Sequence, residues 1–280
     1  MAGYEGSMIR RRVLARQLRL LREEAGLTLE EAAPKLHFSV SKLCRIENAQ
    51  VMIDIHWVKS MLDLYDVGGA RWGELMEIAQ DAKQPGWWKA YGLGNSSYIA
   101  FETEASRVHI FSLGYVPGLL QTADYARALM EAVPVRRSDE QLDMEIAARM
   151  HRQLRLTSDD RPLELVTIID ESVLHRPIGG PQVLKRQLDR IVELAGQDTV
   201  ELRVLPTSVG AHAGLASGVI ILNFGDLGEP DMAYVEHTVG SLTLEKDGEV
   251  ARAKLAFELL QSDSLDPAES VAMIRQLAGS

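Results

Sequence analysis

Three side chains near the amino end have the types and the spacing needed to read base pairs. Val40, Ser41 and Arg45 are one and four residues apart, so a helix would place them on one face. In the major groove an arginine can donate two hydrogen bonds to a guanine, and a serine can hydrogen-bond to either base of a pair. An apolar side chain can contact a thymine methyl group. We therefore predict that these three residues contact bases in DNA.

A second set of residues has the chemistry needed to bind phosphate groups. Thr28 and Ser39 are predicted helix caps, and the amino end of a helix points backbone donors outward. Together with Lys42 they are predicted to contact the DNA backbone, which positions a protein without reading the base sequence. The three arginines at residues 10–12 have two interpretations: an arm that reaches the minor groove or the backbone, or a charged face in solvent.

Polar residues elsewhere in the chain give weaker indications of chemistry. Asp170, Glu171 and His175 follow a predicted strand, where an acid/base site could lie, but Asp170 can equally cap the next helix. One further set of three residues could bind a metal ion only if two separate loops came together, and the spacing of these residues matches no dedicated metal motif. The residues of that set are His212, Glu236 and His237. We expect no catalytic residues, no metal and no cofactor, and we do not expect an enzyme.

The one cysteine, Cys44, lies beside the predicted base-reading face. It could act as a redox switch, or it could fill space as a small side chain. A single cysteine excludes an internal disulfide framework and a Cys-based zinc ribbon.

The predicted base-reading residues need a helix, and the sequence around them predicts an all-α bundle. Apolar residues recur at three- and four-residue spacings before Gly26, a residue suited to end a helix. Thr28 with Glu31 has the pattern of a capping box, and Ser39 stands where an N-cap would. The predicted helices cover residues 10–25, 29–36, 40–48, 54–65 and 71–80. The second and third of them have the layout of a helix-turn-helix.

After Pro85 the sequence predicts a different, α+β domain with a mixed or mainly antiparallel sheet. The predicted strands are 163–170, 199–205, 218–224, 232–236 and 241–244, the last two as a hairpin. The predicted helices are 98–108, 123–131, 138–154, 181–196, 249–260 and 267–278. We therefore divide the chain into a flexible leader (1–9), an all-α helix-turn-helix domain (10–84) and an α+β domain (85–280) that regulates or binds a partner.

Composition and charge limit the classes of function. Of the 280 residues, 46% are hydrophobic and 25% charged, as in ordinary globular proteins. The net charge is −10, but residues 1–45 carry +4 and the remainder carries −14, so the first domain suits an anionic partner. The first residues contain no apolar signal segment, and glycine and proline interrupt the longest uncharged stretch. We expect a cytoplasmic protein with no membrane contact.

The segment RLLREEAGLTLEEAAPKLHFSVSKLCRIEN resembles the DNA-binding domain of the XRE (lambda/434 repressor-like) family. In that family an arginine before the first turn pairs with a glutamate that ends the recognition helix. The resemblance therefore assigns a structural ion pair to Arg22 and Glu47. His37 stands where the family usually has glycine in the inter-helix turn, and Ala49 replaces another usual glycine. Leu29 stands where the family often has a polar residue that contacts DNA.

The rest of the chain resembles a second family, an uncharacterised C-terminal domain found behind XRE domains in many actinobacterial regulators. These include developmental regulators and Scr1-type antitoxin-like proteins. The segments that carry the resemblance are PGLLQTADYARALM (117–130), RMHRQLRL (149–156), DESVLHRPIGG (170–180) and RVLPTSVGAHAG (203–214). Such regulators are often encoded beside a small acidic protein, so the resemblance implies a partner of that kind. Thr122, Tyr125 and Arg127 are predicted to form a partner or dimer surface.

These observations predict a sequence-specific transcription regulator that binds double-stranded DNA as a homodimer. One helix-turn-helix reads only a few base pairs, whereas specific binding exceeds non-specific binding by ~4–10 kcal/mol. The α+β domain would then bind the small acidic partner or an effector molecule. The alternative is that this domain is a small-molecule receptor or an enzyme targeted to DNA by the first domain. A third hypothesis is a protein-binding adaptor that does not use DNA.

Overall fold

The computed structural model describes residues 7–52, 54–94 and 97–279, and the chain forms two compact units. The first unit consists of Met1–Lys89, Gly94–Glu104 and Asp226–Glu229. The second consists of Ala90–Leu93, Ala105–Gly225 and Pro230–Ser280. The first unit thus extends past the predicted boundary at residue 85. None of the helices in the described ranges is long and apolar enough to cross a membrane.

The first unit is a helical bundle, and the first five of its helices pack apolar residues into one shared core. Its helices are α1 (Met8–Glu24), α2 (Leu29–Lys35), α3 (Val40–Glu47), α4 (Ile55–Leu64), α5 (Gly69–Asp81) and α6 (Ser97–Glu104). Leu14 and Leu18 of α1, Leu43 of α3 and Met61 of α4 are completely buried in one shared core. The five helices predicted for this part of the sequence are confirmed.

The amino end of α1 corrects the predicted flexible leader. Ser7 accepts a hydrogen bond from the backbone N–H of Arg10 at 3.2 Å, which starts the helix at Met8. Ile9 is completely buried. The leader predicted for residues 1–9 is therefore wrong for residues 7–9, and its residues 1–6 lie outside the described part of the chain.

The second unit is built on a mixed sheet of six strands in the order β3-β2-β1-β4-β5-β6. Its strands are β1 (Arg107–Ser112), β2 (Glu164–Asp170), β3 (Val200–Leu205), β4 (Val219–Asn223), β5 (Met232–His237) and β6 (Gly240–Leu244). Its helices are α7 (Ala123–Glu131), α8 (Asp139–Gln153), α9 (Glu171–His175), α10 (Pro181–Leu194), α11 (Asp247–Asp263) and α12 (Pro267–Ala278). β1, β2 and β3 are parallel, whereas β4, β5 and β6 continue the sheet in antiparallel fashion. The predicted mixed sheet and the predicted hairpin are confirmed.

One strand of this sheet was not predicted. The sequence predicted a single helix over 98–108, but the helix ends at Glu104 and β1 follows at Arg107. β1 lies between β2 and β4, and it buries Val108 and Ile110. Because pairing on both sides stabilises this strand, the long-range contacts outweigh the local helical pattern.

Candidate nucleic-acid interface

Two capped helices form the predicted helix-turn-helix. The Thr28 hydroxyl accepts a hydrogen bond from the N–H of Glu31 at 3.2 Å, and the Glu31 carboxylate accepts one from the N–H of Thr28 at 2.9 Å. This is the predicted capping box of α2. The Ser39 hydroxyl accepts from the N–H of Lys42 at 3.1 Å and begins α3. Each cap satisfies a donor that the helix leaves unpaired, so it fixes where the helix begins.

The turn between the two helices passes through His37 at a positive φ of 56°. Ala49, directly after α3, has a φ of 55°. Glycine adopts this region without steric cost, whereas other residues do so rarely. The backbone therefore keeps the conformation that the resemblance associates with glycine, although neither residue is glycine.

A buried ion pair joins the end of α1 to the end of α3. Arg22 Nε and Nη2 donate to the two carboxylate oxygens of Glu47 at 2.8 and 2.9 Å, and Arg22 Nη1 donates to the Leu27 carbonyl at 2.7 Å. Only 8% and 3% of the two side chains are exposed. The hydrogen bond from Arg22 to Glu47 raises the pKa of the arginine. The predicted structural ion pair is confirmed, and it fixes α3 against the bundle.

α3 exposes the three residues that were predicted to contact bases. Val40 is 38% exposed, and Ser41 and Arg45 are also exposed. The other side of the helix is held in the core by Leu43 and Ile46. Arg45 donates from Nε to the Ser41 carbonyl at 3.4 Å, which engages one of its five N–H donors. The structure places the three side chains on one surface, and their contact with bases stays a prediction.

The predicted phosphate ligand Lys42 has an environment that the sequence did not indicate. Its ammonium lies 4.0 Å from the ring centroid of Phe38 and 3.5 Å from that of Trp57. The two rings pack edge to face, with their centroids 5.6 Å apart. Cation–π contacts of this kind contribute about 0.5–1 kcal/mol each at exposed sites. Trp57 belongs to α4, so only the folded bundle brings it to Lys42.

The three arginines at residues 10–12 are part of α1 and make contacts within the first unit. Arg10 pairs with Asp81 and, at 3.0 Å, with Glu104. Arg11 is buried, and Arg12 lies 3.7 Å from Glu229. Neither a DNA-binding arm nor a solvated charge run describes these residues, because their side chains connect α1 to other segments of its own unit.

The predicted partner or dimer surface is wrong for Tyr125. This side chain is completely buried, and its hydroxyl accepts a hydrogen bond from the N–H of Val116 at 3.2 Å. Thr122 caps α7 by accepting from the N–H of Tyr125 at 3.3 Å. Arg127 is partly exposed and pairs with Asp143. A buried ring cannot contact a second protein, so the predicted surface loses its largest member.

Buried glutamine side chains hold the segment between β1 and α7 in place, a role that the sequence did not indicate. Gln187 donates to the Leu120 carbonyl at 2.7 Å and accepts from the N–H of Thr122 at 2.8 Å. Gln153 donates to the Gln121 carbonyl at 2.7 Å. These glutamines come from α10 and α8, so one segment of chain is hydrogen-bonded to two helices.

Asp170 caps α9, which is one of its two predicted interpretations. Its carboxylate accepts from the N–H of Ser172 at 3.0 Å. The neighbouring Glu171 accepts from both the N–H and the hydroxyl of Thr207, at 2.7 and 2.8 Å, and these bonds hold the pKa of Glu171 below its ordinary value. His175 Nε2 lies 3.7 Å from Glu171. These contacts give the carboxylates structural partners.

The three residues that were considered as metal ligands each contact a different residue. His212 Nε2 is 3.8 Å from the Asp170 carboxylate, a pair that the sequence did not indicate. Glu236 accepts from the Tyr115 hydroxyl at 3.0 Å, and the His237 ring accepts from the N–H of Val239 at 3.4 Å. Among the residues that the structure describes, no group of three or more His, Cys, Asp or Glu side chains is arranged to hold a metal ion.

Comparison with known proteins identifies both parts of the chain. A helix-turn-helix domain family matches residues 13–75, and a domain of unknown function, DUF5753, matches residues 96–276. No curated protein and no solved structure matches the chain. The first match confirms the helix-turn-helix, is consistent with the XRE-like resemblance, and supports a DNA-binding regulator. Because the second match covers more than half of the chain, this protein belongs to the DUF5753 family and carries a helix-turn-helix domain in front of that family's domain.

Proposed function

We propose that the protein is a sequence-specific transcription regulator that binds double-stranded DNA as a homodimer. The observation that carries the proposal is the exposed face of α3, where Val40, Ser41 and Arg45 lie together. The opposite side of the same helix is held by a cap, a buried core and the Arg22–Glu47 ion pair. A reading surface needs such rigid support, because small displacements break base contacts.

The homodimer follows from the size of the reading surface. A good bidentate contact such as arginine to guanine contributes about 1–3 kcal/mol of discrimination against the wrong base. The other two side chains of α3 add less, so one copy reaches at most the lower end of the ~4–10 kcal/mol that separates specific from non-specific binding. Two copies on half-sites about one helical turn apart would double the readout.

Selection of binding sites from random duplexes by the full chain tests this proposal. We expect an inverted repeat whose two halves are about one helical turn apart. A variant with alanine at Val40, Ser41 and Arg45 should lose the selection and keep its fold, since all three side chains are exposed. Arg71→Ala is the matched control, because it removes an exposed arginine of α5 that pairs with Glu24 at 3.3 Å. Failure to enrich any sequence over the random pool would refute the proposal.

We further propose that the second unit binds a small acidic partner protein in an antitoxin-like arrangement. Glu229 is buried between positions 203 and 240, and the His212 side chain is only 5% exposed beside Asp170. The support is that the other buried side chains in this stretch are apolar. They are Val204, Leu205, Ile221, Leu222, Phe224, Met232, Ala233 and Tyr234, with a single hydroxyl among them. Genomic footprinting with and without the small acidic protein that the family resemblance implies tests this. Identical footprints would contradict a partner that changes DNA affinity.

A small-molecule effector is the second candidate, and one groove favours it. The groove has a volume of about 320 Å³ and is lined by Ala195, Val200, Leu202, Pro267, Ala268, Val271 and Arg275. Its apolar walls and one arginine suit a small carboxylic acid with an apolar body. A screen of such acids for a rise in the unfolding temperature tests the idea, and Ala268→Trp, which fills the groove, should abolish the rise. A rise that survives Ala268→Trp would place the ligand elsewhere.

A further inference from the structure

The sheet of the second unit has two outer strands, and the described chain covers them unequally. On the outer side of β3, the N–H of Val204 donates to the buried hydroxyl of Ser270 at 2.9 Å, and the Val204 carbonyl accepts from the N–H of Leu265 at 2.9 Å. Residues at and just before the start of α12 therefore satisfy the outward backbone groups of Val204. At the opposite edge, β6 pairs with β5 alone among the strands that the structure describes.

The register of the hairpin shows which backbone groups of β6 point outward. A two-residue turn joins β5 to β6, so Gly240 belongs to the hydrogen-bonded pair that closes the turn. Hydrogen-bonded and non-hydrogen-bonded pairs alternate along an antiparallel ladder. Leu242 and Leu244 therefore bond to β5, whereas Ser241 and Thr243 direct their N–H and C=O groups away from the sheet.

β6 has none of the features that normally protect an edge strand. The segment from Thr238 to Leu244 contains no charged residue and no proline, and its pairing with β5 has no bulge. Leu242 is 53% exposed. Natural edge strands usually carry charges, proline or bulges, because an unprotected edge is a template for another strand.

The side chain of Leu242 lies on the face of the sheet that α11 covers. His109 of β1 packs against Phe257 of α11, with ring centroids 5.2 Å apart. The register runs from His109 through Ile221 and Ala233 to Leu244, so Leu244 shares this face. Residues two apart in a strand point the same way, which places Leu242 there too. Half of this leucine is nevertheless exposed.

We propose that β6 of one copy pairs antiparallel with β6 of a second copy, across a two-fold axis at Leu242. This rests on the proposed homodimer and gives it an interface. Ser241 of each copy would oppose Thr243 of the other, forming about four backbone hydrogen bonds and two pairs of hydroxyl residues. Leu242 would oppose its own counterpart at a non-hydrogen-bonded position, where the Cα atoms are about 4.5 Å apart.

Symmetry and charge favour a second copy over a different protein. In this register the polar and apolar positions of β6 are symmetric about Leu242, so the same strand can serve as both partners. Each chain carries a net charge of −10, which would keep two copies apart, but the proposed seam is uncharged. An acidic partner would find no cation on this strand to pair with.

Cysteine cross-linking of the full-length protein tests the interface. In a Cys44→Ser background, Leu242→Cys should oxidise to a covalent dimer, because the expected Cα separation permits a disulfide. Leu255→Cys is the matched control, since Leu255 is 57% exposed but lies on α11. We expect at least tenfold faster dimer formation from Leu242→Cys than from Leu255→Cys. Equal rates, or no dimer from Leu242→Cys, would overturn the proposal.

Sedimentation equilibrium of Thr243→Pro gives a second, independent test. Proline is tolerated on an edge strand where the N–H faces outward, so the hairpin should persist while the intermolecular bond is lost. We expect the dimer dissociation constant to rise at least tenfold, whereas Thr243→Val, which keeps the N–H, should change it less than threefold. A wild-type dimer unaffected by Thr243→Pro would overturn this interface and leave the homodimer standing. A wild-type protein that stays monomeric on its selected DNA would overturn both.

Discussion

Replacing Arg22 by leucine should destabilise the helix-turn-helix more than replacing Glu47, although the two residues form one ion pair. Both oxygens of Glu47 accept from Arg22, and 3% of the glutamate side chain is exposed. Arg22→Leu therefore leaves a buried carboxylate without its two donors. In Glu47→Leu the guanidinium keeps the Leu27 carbonyl at 2.7 Å and Glu23 at 3.4 Å. The arginine is thus the better compensated of the two charges.

The expected magnitudes follow from this difference. Removing one partner of a buried ion pair typically costs about 3–5 kcal/mol, because the other charge stays buried. We expect Arg22→Leu near the upper end of that range. Glu47→Leu should cost about 2–3 kcal/mol, since a hydrogen bond to a charged group contributes about 1.5–3 kcal/mol and the arginine keeps its bonds to Leu27 and Glu23. The double variant should cost less than Arg22→Leu alone, because neither charge is left unpaired.

Hydrogen exchange in the full-length protein measures the stability that the helix-turn-helix loses in each variant, separately from the stability of the second unit. The chain has two compact units, so a single global unfolding free energy is not well defined. The slowest amides of α1 and α3 should exchange about a thousandfold faster in Arg22→Leu, at a tenfold change per ~1.4 kcal/mol. Amides of β2, in the other unit, provide the internal control. Equal effects of the two single substitutions, or a double variant whose cost is their sum, would refute the reasoning.

Four further predictions follow from single contacts. Arg45→Ala should lower affinity for the selected site by ~1–3 kcal/mol and relax one base position, as titrations of single-base variants would show; unchanged selectivity would remove Arg45 from the reading surface. Lys42→Ala should weaken binding to every duplex and reduce the slope of log affinity against log salt by about one, whereas an unchanged slope would exclude a phosphate contact. His37→Gly should stabilise α2 and α3 by up to about 1 kcal/mol in hydrogen exchange, since glycine removes the cost of the positive φ, and a loss of protection would contradict this. Burial, with Arg107 nearby, lowers the pKa of His109 in the folded protein. The neutral imidazole therefore contributes fully to stability above the ordinary histidine pKa of about 6.5, and this contribution is lost as the pH falls through the lower pKa of the folded state. His109→Phe should flatten the fall in the unfolding temperature of the second unit between pH 7.5 and 5.5, and an unchanged fall would contradict the assignment of this pH dependence to His109.

The helix-turn-helix could be predicted because its determinants are local. Thr28 and Ser39 cap helices through residues three positions ahead, and the periodic apolar residues define one face of each helix. The contact of Lys42 with Trp57 could not be predicted in the same way, because it depends on how α4 packs against α3. β1 was missed for a similar reason, since its neighbours β2 and β4 are 57 and more than 100 residues away along the chain.

The outcome for Tyr125 shows why the family resemblance does not identify the functional surface of the second unit. The segment around Gln121 and Thr122, which carries much of that resemblance, is hydrogen-bonded to α8 and α10, and Tyr125 beside it is buried. The packing of the domain accounts for these contacts, because the glutamine amides of α8 and α10 satisfy backbone groups of the segment that would otherwise be buried without partners. A partner must instead contact what the fold leaves exposed. In the described sheet that is the outer edge of β6, and Leu242 is the side chain at which contact with a second copy can be tested.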